Sequence, residues 1–337
     1  MNKALTKLLL LGIMFGTFAV NAQQDVQFTK YMFVPSVYNP GYAGSKDHLA
    51  ISLLHRSQWV GITGAPTSQA LTIHSPLKND RVGLGFNAVN DVIGSNHILD
   101  FNIQYAYRIP MGKGKLAIGL QGGMKNWAFN GDVNPETPGI EFTPTSSWNP
   151  NFGVGLHYYS KYFFTSFSCP HLIEWDLTKN VNNPIVARQY RHFYGSVGGA
   201  IPLNGDALIF RPMLMVKNVG WFSKFSKDQV YQNIGAPTSV DLDLSLFFYE
   251  TLWVGLAYRG AVEQFNTVTT GDVTQKITTH DSFDIWASYF LTNGLRIGAA
   301  YDYPLTKLSS STIGSFEIML GYEFDYKSKR LATPRYF

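Results

Sequence analysis

The sequence predicts an all-β transmembrane antiparallel barrel of about fourteen strands, of the outer-membrane type. Three observations lead there. Apolar and polar residues alternate at period two from about residue 49 to residue 326. The connectors between the alternating runs are short and long in turn. Charged residues keep almost entirely to one register of the alternation. Side chains on a strand point to opposite faces in succession, so period two means one apolar and one polar face. A closed sheet with lipid outside and a polar lumen inside shows this pattern.

The strand candidates run over 49–59, 69–75, 82–90, 97–107, 116–127, 152–158, 162–169, 189–201, 207–217, 240–249, 252–259, 282–291, 295–303 and 315–326. In the tenth, Leu242, Leu244, Leu246 and Phe248 face one way and Asp241, Asp243, Ser245 and Tyr249 the other. In the fourth, Leu99, Phe101, Ile103, Tyr105 and Tyr107 oppose Asp100, Asn102, Gln104 and Arg108. Most runs approach the roughly 9–11 residues that cross a bilayer at a tilt. The polar register also holds Arg56, Lys125, Arg211, Lys217, Arg259, Asp284, Arg296, Asp302, Glu317 and Glu323. An Arg or Lys on the lipid face at midplane costs about 2–4 kcal/mol, which explains the segregation. Pro212 removes a ladder hydrogen bond and predicts a bulge or an open seam in the ninth strand.

After even-numbered strands the connectors are tight, and Asn204-Gly205 and Asn293-Gly294 carry hairpin chemistry. After most odd-numbered strands they are long: 130–149, 171–188, 219–236 and 260–281, with 91–95 the short exception. Outer-membrane barrels have short periplasmic turns and longer outer loops. An even strand count then puts both chain ends, Lys78 and Lys113 on the periplasmic side, and the long loops, Lys224 included, outside.

The flanks complete the expected organisation. Lys3 and Lys7, an apolar run over 8–20 and then Asn21-Ala22 read as a signal peptide over 1–22. Residues 23–48, rich in Tyr, Phe, Pro and Gly, have no strand or helix period and are expected to plug the lumen or lid its periplasmic mouth, with Tyr31, Phe33, Tyr38, Asn39, Pro40 and Tyr42 as packing residues. The barrel is expected over 49–326, and 327–337 form a basic periplasmic tail. Cys169, the single cysteine, cannot form an internal disulfide and reads as a packing residue.

Aromatic residues make up 15% of the chain and charged residues 15%, against about 25% charged in average soluble domains. The net charge of +4 is spread out and gives no footing for nucleic acid. The eight histidines show no zinc-ligand spacing, and neither a nucleophile elbow nor a phosphate-binding loop occurs. Asp241 and Asp243 lie in a strand without the glycine and further ligands of a calcium loop. The reading assigns no catalytic residue, no cofactor and no metal.

A resemblance adds to this. The run from Gln24 through Asp25, Val26, Gln27, Phe28, Thr29, Lys30, Tyr31, Met32 and Phe33 leads into Pro35 and Tyr38-Asn39-Pro40-Gly41-Tyr42-Ala43-Gly44-Ser45. Arg56-Ser57-Gln58-Trp59-Val60-Gly61 and Gly64-Ala65-Pro66-Thr67 follow. This is similar to the PorP/SprF family of Bacteroidetes outer-membrane proteins, with Val34 in place of the usual Asn and Gly41 in place of the usual Ala. The resemblance implies a non-enzymatic barrel of the type IX secretion and gliding-motility apparatus, in the outer membrane. It implies secretion or surface attachment of an adhesin through the adhesin's C-terminal domain, and contact with the periplasmic ring or a peptidoglycan-binding lipoprotein.

Gly-Ala-Pro-Thr-Ser occurs at 64–68 and again at 235–239, each time ending an outer loop. It is either a shared loop-to-strand turn or a pair of ledges for a partner. Arg56, Gln58 and Trp59 at the outer end of the first strand suit either an interface or an aromatic girdle. The candidate contact residues are therefore Arg56, Gln58, Trp59, Gly64, Ala65, Pro66, Gly235, Ala236 and Pro237. The rival reading is a passive diffusion pore or small-molecule transporter.

Overall fold

The structure, a computed structural model, describes residues 25–46, 48–77, 80–130, 144–176, 188–221, 238–261, 267–270, 273–276 and 280–324. The signal-peptide, tail and second-repeat expectations (1–22, 327–337, Gly235, Ala236, Pro237) lie outside them, as do Lys78 and Lys224.

Fourteen antiparallel strands form a closed barrel. They are β1 (Ala50–Ser57), β2 (Thr67–Pro76), β3 (Val82–Ile93), β4 (Asn96–Met111), β5 (Gly114–Phe129), β6 (Thr145–Ser160), β7 (Phe163–Cys169), β8 (His192–Gly199, continuing as Ile201–Asn204), β9 (Leu208–Val219), β10 (Ser239–Phe248), β11 (Leu252–Ala261), β12 (His280–Phe290), β13 (Leu295–Pro304) and β14 (Ser315–Glu323). Each pairs with its neighbours in sequence, and β1 closes on β14 from Ala50↔Glu323 to Ser57↔Phe316. No helix among the described residues is long and apolar enough to cross a membrane.

The polarity is inside out. In β10, Asp241, Asp243 and Ser245 are buried while Leu242 and Leu244 are exposed. In β4, Ile103 is 70% exposed and Gln104 fully buried, which water would penalise and lipid rewards. The thirteen charged residues of the expected inward register from Arg56 to Glu317 are all buried, and Glu323 is partly so.

The tight connectors, such as 112–113 and 249–251, share one end of the barrel with the start of β1 and the end of β14. The strand ends that flank the long connectors, such as Phe129 and Thr145, lie at the other. β6 starts at Thr145, earlier than its expected Phe152, because pairing with β5 continues through Pro150 and Asn149. Here tertiary pairing overrides the turn-like composition of Ser147–Asn151. At Pro212 there is no bulge against β10; the neighbouring β8 is instead interrupted at Ala200.

The interior is filled from the N-terminal side. Residues 25–46 run through the lumen as three short turns, Tyr31–Phe33, Pro35–Tyr38 and Pro40–Tyr42. Pro35 and Pro40 open the last two, where a missing N–H costs nothing. The main apolar core joins Phe28, Tyr31, Phe33, Val34 and Tyr38 to inward aromatics such as Phe247, Trp253 and Trp286.

Candidate functional site

The N-terminal segment meets the wall at three levels. At the long-loop end, Asp25 receives hydrogen bonds from Lys125 Nζ at 2.7 Å and His171 Nδ1 at 2.8 Å. His171 Nε2 lies 2.8 Å from Asp100 Oδ2, so as an imidazolium it donates to two carboxylates at once. Burial opposes charge on both partners. Lys125 and His171 outweigh it at Asp25 and hold its carboxyl well below the usual range. At His171 burial is outweighed by Asp25 and Asp100, which lift the imidazole to about 9.

In the middle, Glu317 accepts the backbone N–H of Thr29 on one carboxylate oxygen at 2.5 Å and that of Lys30 on the other at 3.0 Å. Arg56 bridges Glu317 at 2.6 Å and Asp302 at 2.7 Å, and the Thr29 hydroxyl bonds to both Arg56 and Asp302. The fully buried Lys30 ammonium lies 3.4 Å from Asp243 and 3.9 Å from Asp284, over the Trp286 ring. Arg259 is paired with Asp241 at 2.5 Å.

Toward the short-turn end, Asn39 donates to Leu156 O at 2.9 Å and accepts from Gly41 N at 2.8 Å. The backbone here lies directly on the wall. A Cβ at Gly119 would stand 2.1 Å from Gly41 N, and one at Gly155 2.0 Å from Asn39 Oδ1, so only glycine fits at either position. Tyr42 packs between His74 and His157, with centroids 5.4 Å from each. Arg108 holds Gly44 O, and Lys46 and His48 hold Glu323.

The residues expected to fill the lumen (Tyr31, Phe33, Tyr38, Asn39, Pro40 and Tyr42) are all buried. The segment's path differs from a lid over the periplasmic mouth. It spans most of the barrel's height, and Asp25 stands in the long-loop half, beside residues near the long-loop ends of β4 and β5. The first strand starts and the last strand ends at the short-turn end.

The outer contact candidates separate. Arg56 sits near the long-loop end of β1, but its guanidinium turns inward, is 3% exposed and is taken up by Glu317, Asp302 and Thr29. It is a lumen residue, not a rim contact, because the inward register of β1 places it there. Gln58 and Trp59 are half-buried in the β1–β2 loop. Trp59 has a φ of 49° and donates its N–H to Ser315 Oγ, and the adjacent Val60 pairs with Ile313 and Gly314 of the β13–β14 loop. Gly64 is exposed and its carbonyl accepts from Gly94 N; Ala65 is half-buried and Pro66 buried. Sequence reasoning missed Asp25, Lys30, His171 and the two glycine seats. Inward glycines at period two, Gly153 and Gly155 among them, were a visible signal for a close backbone approach.

The sequence profile described as type IX secretion system membrane protein PorP/SprF matches residues 20–322, nearly the whole barrel and its N-terminal segment. The chain belongs to this family. It is thus a membrane protein of the type IX secretion system, and membership implies interaction with other components of that system. No curated protein matches the chain. Similar solved structures include the Ralstonia pickettii toluene transporter TbuX (12% identity, 86% of this chain and 93% of that one, TM-score 0.46). Others are Acinetobacter baumannii Omp33 (9%, 83% and 100%, 0.45) and a Pseudomonas aeruginosa FadL homologue (13%, 85% and 93%, 0.44).

Proposed function

We propose that this family member is a non-enzymatic barrel that supports secretion or cell-surface attachment of an adhesin through the adhesin's C-terminal domain, with its own N-terminal segment as a lumen plug. The observation that carries the reading is the family match together with a lumen occupied by residues 25–46. A passive pore needs an open aqueous path, whereas here Lys30 and Glu317 tie the segment across mid-lumen. The docking surface is the outer rim around Gln58, Trp59 and Gly64–Pro66, with the second Gly-Ala-Pro repeat at Gly235, Ala236 and Pro237. The periplasmic ring or a peptidoglycan-binding lipoprotein meets the short-turn end.

Purification from the native membrane followed by mass spectrometry tests this reading. A co-purifying large secreted chain with a shared C-terminal domain is expected. Adhesin that stays on the cell surface after deletion of the gene would reject the attachment role. High conductance by the intact protein in planar bilayers would favour the pore.

A further inference from the structure

Against the N-terminal segment a cavity extends to the short-turn end, where Glu250 and Glu323 border it. Its lining combines aromatic and thioether side chains, among them Phe33, Phe247, Trp253 and Met213, with polar ones such as Lys46, His74 and His157. Two guanidinium groups belong to this lining. Arg211 lies flat on Trp253 at 3.7 Å, Trp253 abuts Phe33 at 5.3 Å, and Arg296 lies over Phe33 at 4.6 Å.

Arg296 is the informative one. It is 7% exposed, and Phe290 stands near its guanidinium as well, at 5.5 Å. Its hydrogen bond goes to Ser52 Oγ, at a long 3.4 Å. A guanidinium carries five N–H donors, so this bond engages only part of its capacity. The nearby carboxylate, Glu323, is committed to Lys46 and His48. Rings stand by the guanidinium, its Nε–Nη2 edge lies against Gly321 and Ser52, and the side chain is part of the cavity lining. That geometry suits two parallel hydrogen bonds to a planar carboxylate, with the aromatic walls taking an apolar body.

We propose that this cavity is a binding site for an amphipathic monocarboxylate, with Arg296 and Ser52 taking the carboxylate and Phe33, Phe247, Trp253 and Met213 enclosing the apolar part. The ligand enters from the short-turn end. The same chemistry is offered by a small aliphatic acid and by the C-terminal carboxylate of an apolar peptide.

Calorimetric titration of the full-length barrel in amphipol, with octanoate and octanamide as probes, tests it. Octanoate is expected to bind about 10- to 100-fold more tightly than octanamide, and Arg296→Gln to remove the difference. A tripeptide ending in Leu-Phe, as free acid and as amide, forms the second arm. Tighter binding of the peptide acid than of octanoate assigns the site to a peptide; the reverse assigns it to a small acid. Heat-modifiable migration checks that each variant is a closed barrel. Should Arg296→Gln fail that check, Met213→Trp, which narrows the cavity and keeps the guanidinium, must abolish octanoate binding. Equal affinity for acid and amide, no binding of either acid, or an acid preference that survives Arg296→Gln overturns the proposal.

Discussion

Arg56 and Glu317 are register partners across the seam that closes the barrel, and their side chains meet at 2.6 Å inside it. The same Glu317 carboxylate receives the N–H groups of Thr29 and Lys30. Closure of the wall and docking of the N-terminal segment thus share one anion. Buried carboxylates at Asp241, Asp243, Asp284, Asp302 and Glu317 face the buried bases Arg56, Arg211, Lys217, Arg259 and Lys30, and Lys30 comes from the segment itself.

Lys30→Met removes that base from Asp243 and Asp284, and the Trp286 N–H still donates to Asp243. Breaking a buried ion pair typically costs about 3–5 kcal/mol. The variant is expected to release the segment, raising single-channel conductance and exposing residues near Tyr31 to added protease. Conductance and cleavage both at wild-type level would show that the segment is held without Lys30.

Gly119→Val places side-chain atoms where Gly41 N now lies. Overpacking of this kind costs about 1–3 kcal/mol, and flexible turns yield before a paired strand does. Displacement of residues 39–44 with the barrel intact is expected, read as a conductance rise and unchanged heat-modifiable migration. Gly122→Val, whose Cβ meets only the Phe152 ring at 3.6 Å, is the control and should change neither.

The outer clamp is pH-dependent with a definite sign. His171 is raised from 6.5 to about 9, so its contribution is complete below 6.5 and is lost as pH rises through 9. Asp25 is depressed, so its contribution is present above its ordinary 3.8 and fails only as pH falls through its lower folded value. Loosening of the segment's outer end is therefore expected on alkalinisation through about pH 9, measured as hydrogen exchange at residues 25–28. His171→Gln should remove the alkaline step; a step that persists in it would place the titration elsewhere.

Loop length sets the orientation. A cysteine substituted for the exposed Lys307, in the β13–β14 loop, should react with an impermeant maleimide on intact cells. One substituted for Lys113 should react only after the outer membrane is opened. The native Cys169 is 2% exposed and gives little background. The opposite labelling would invert the molecule.

At the rim, Trp59→Ala is expected to release the client while the barrel still inserts. A desolvated Trp anchor is worth about 2 kcal/mol or more, roughly thirtyfold in affinity. Adhesin retained at wild-type level in this variant and in a 64–66 deletion moves the contact to another loop.

Period two was enough to place Asp243, Glu317 and Arg296 on the inward face, because a one-residue change of register would have put each charge in lipid. Alternating loop length separated the two ends, and the strand count followed from both. Strand limits at Thr145 and Ala200 were less legible, since Pro and Asn write the same local signal in a turn and in a paired strand. Which inward residues meet was beyond the sequence. Arg56 and Glu317 touch because the first and last strands close on each other, a relation 261 residues long that no local pattern encodes. The path of residues 25–46 was hidden for another reason. Without a period, its Asp25, Lys30 and Tyr42 acquire partners only from the barrel around them. His171 titrates near 9 and Arg296 faces a cavity because tertiary packing, not spacing along the chain, decides which charges share a low-dielectric space.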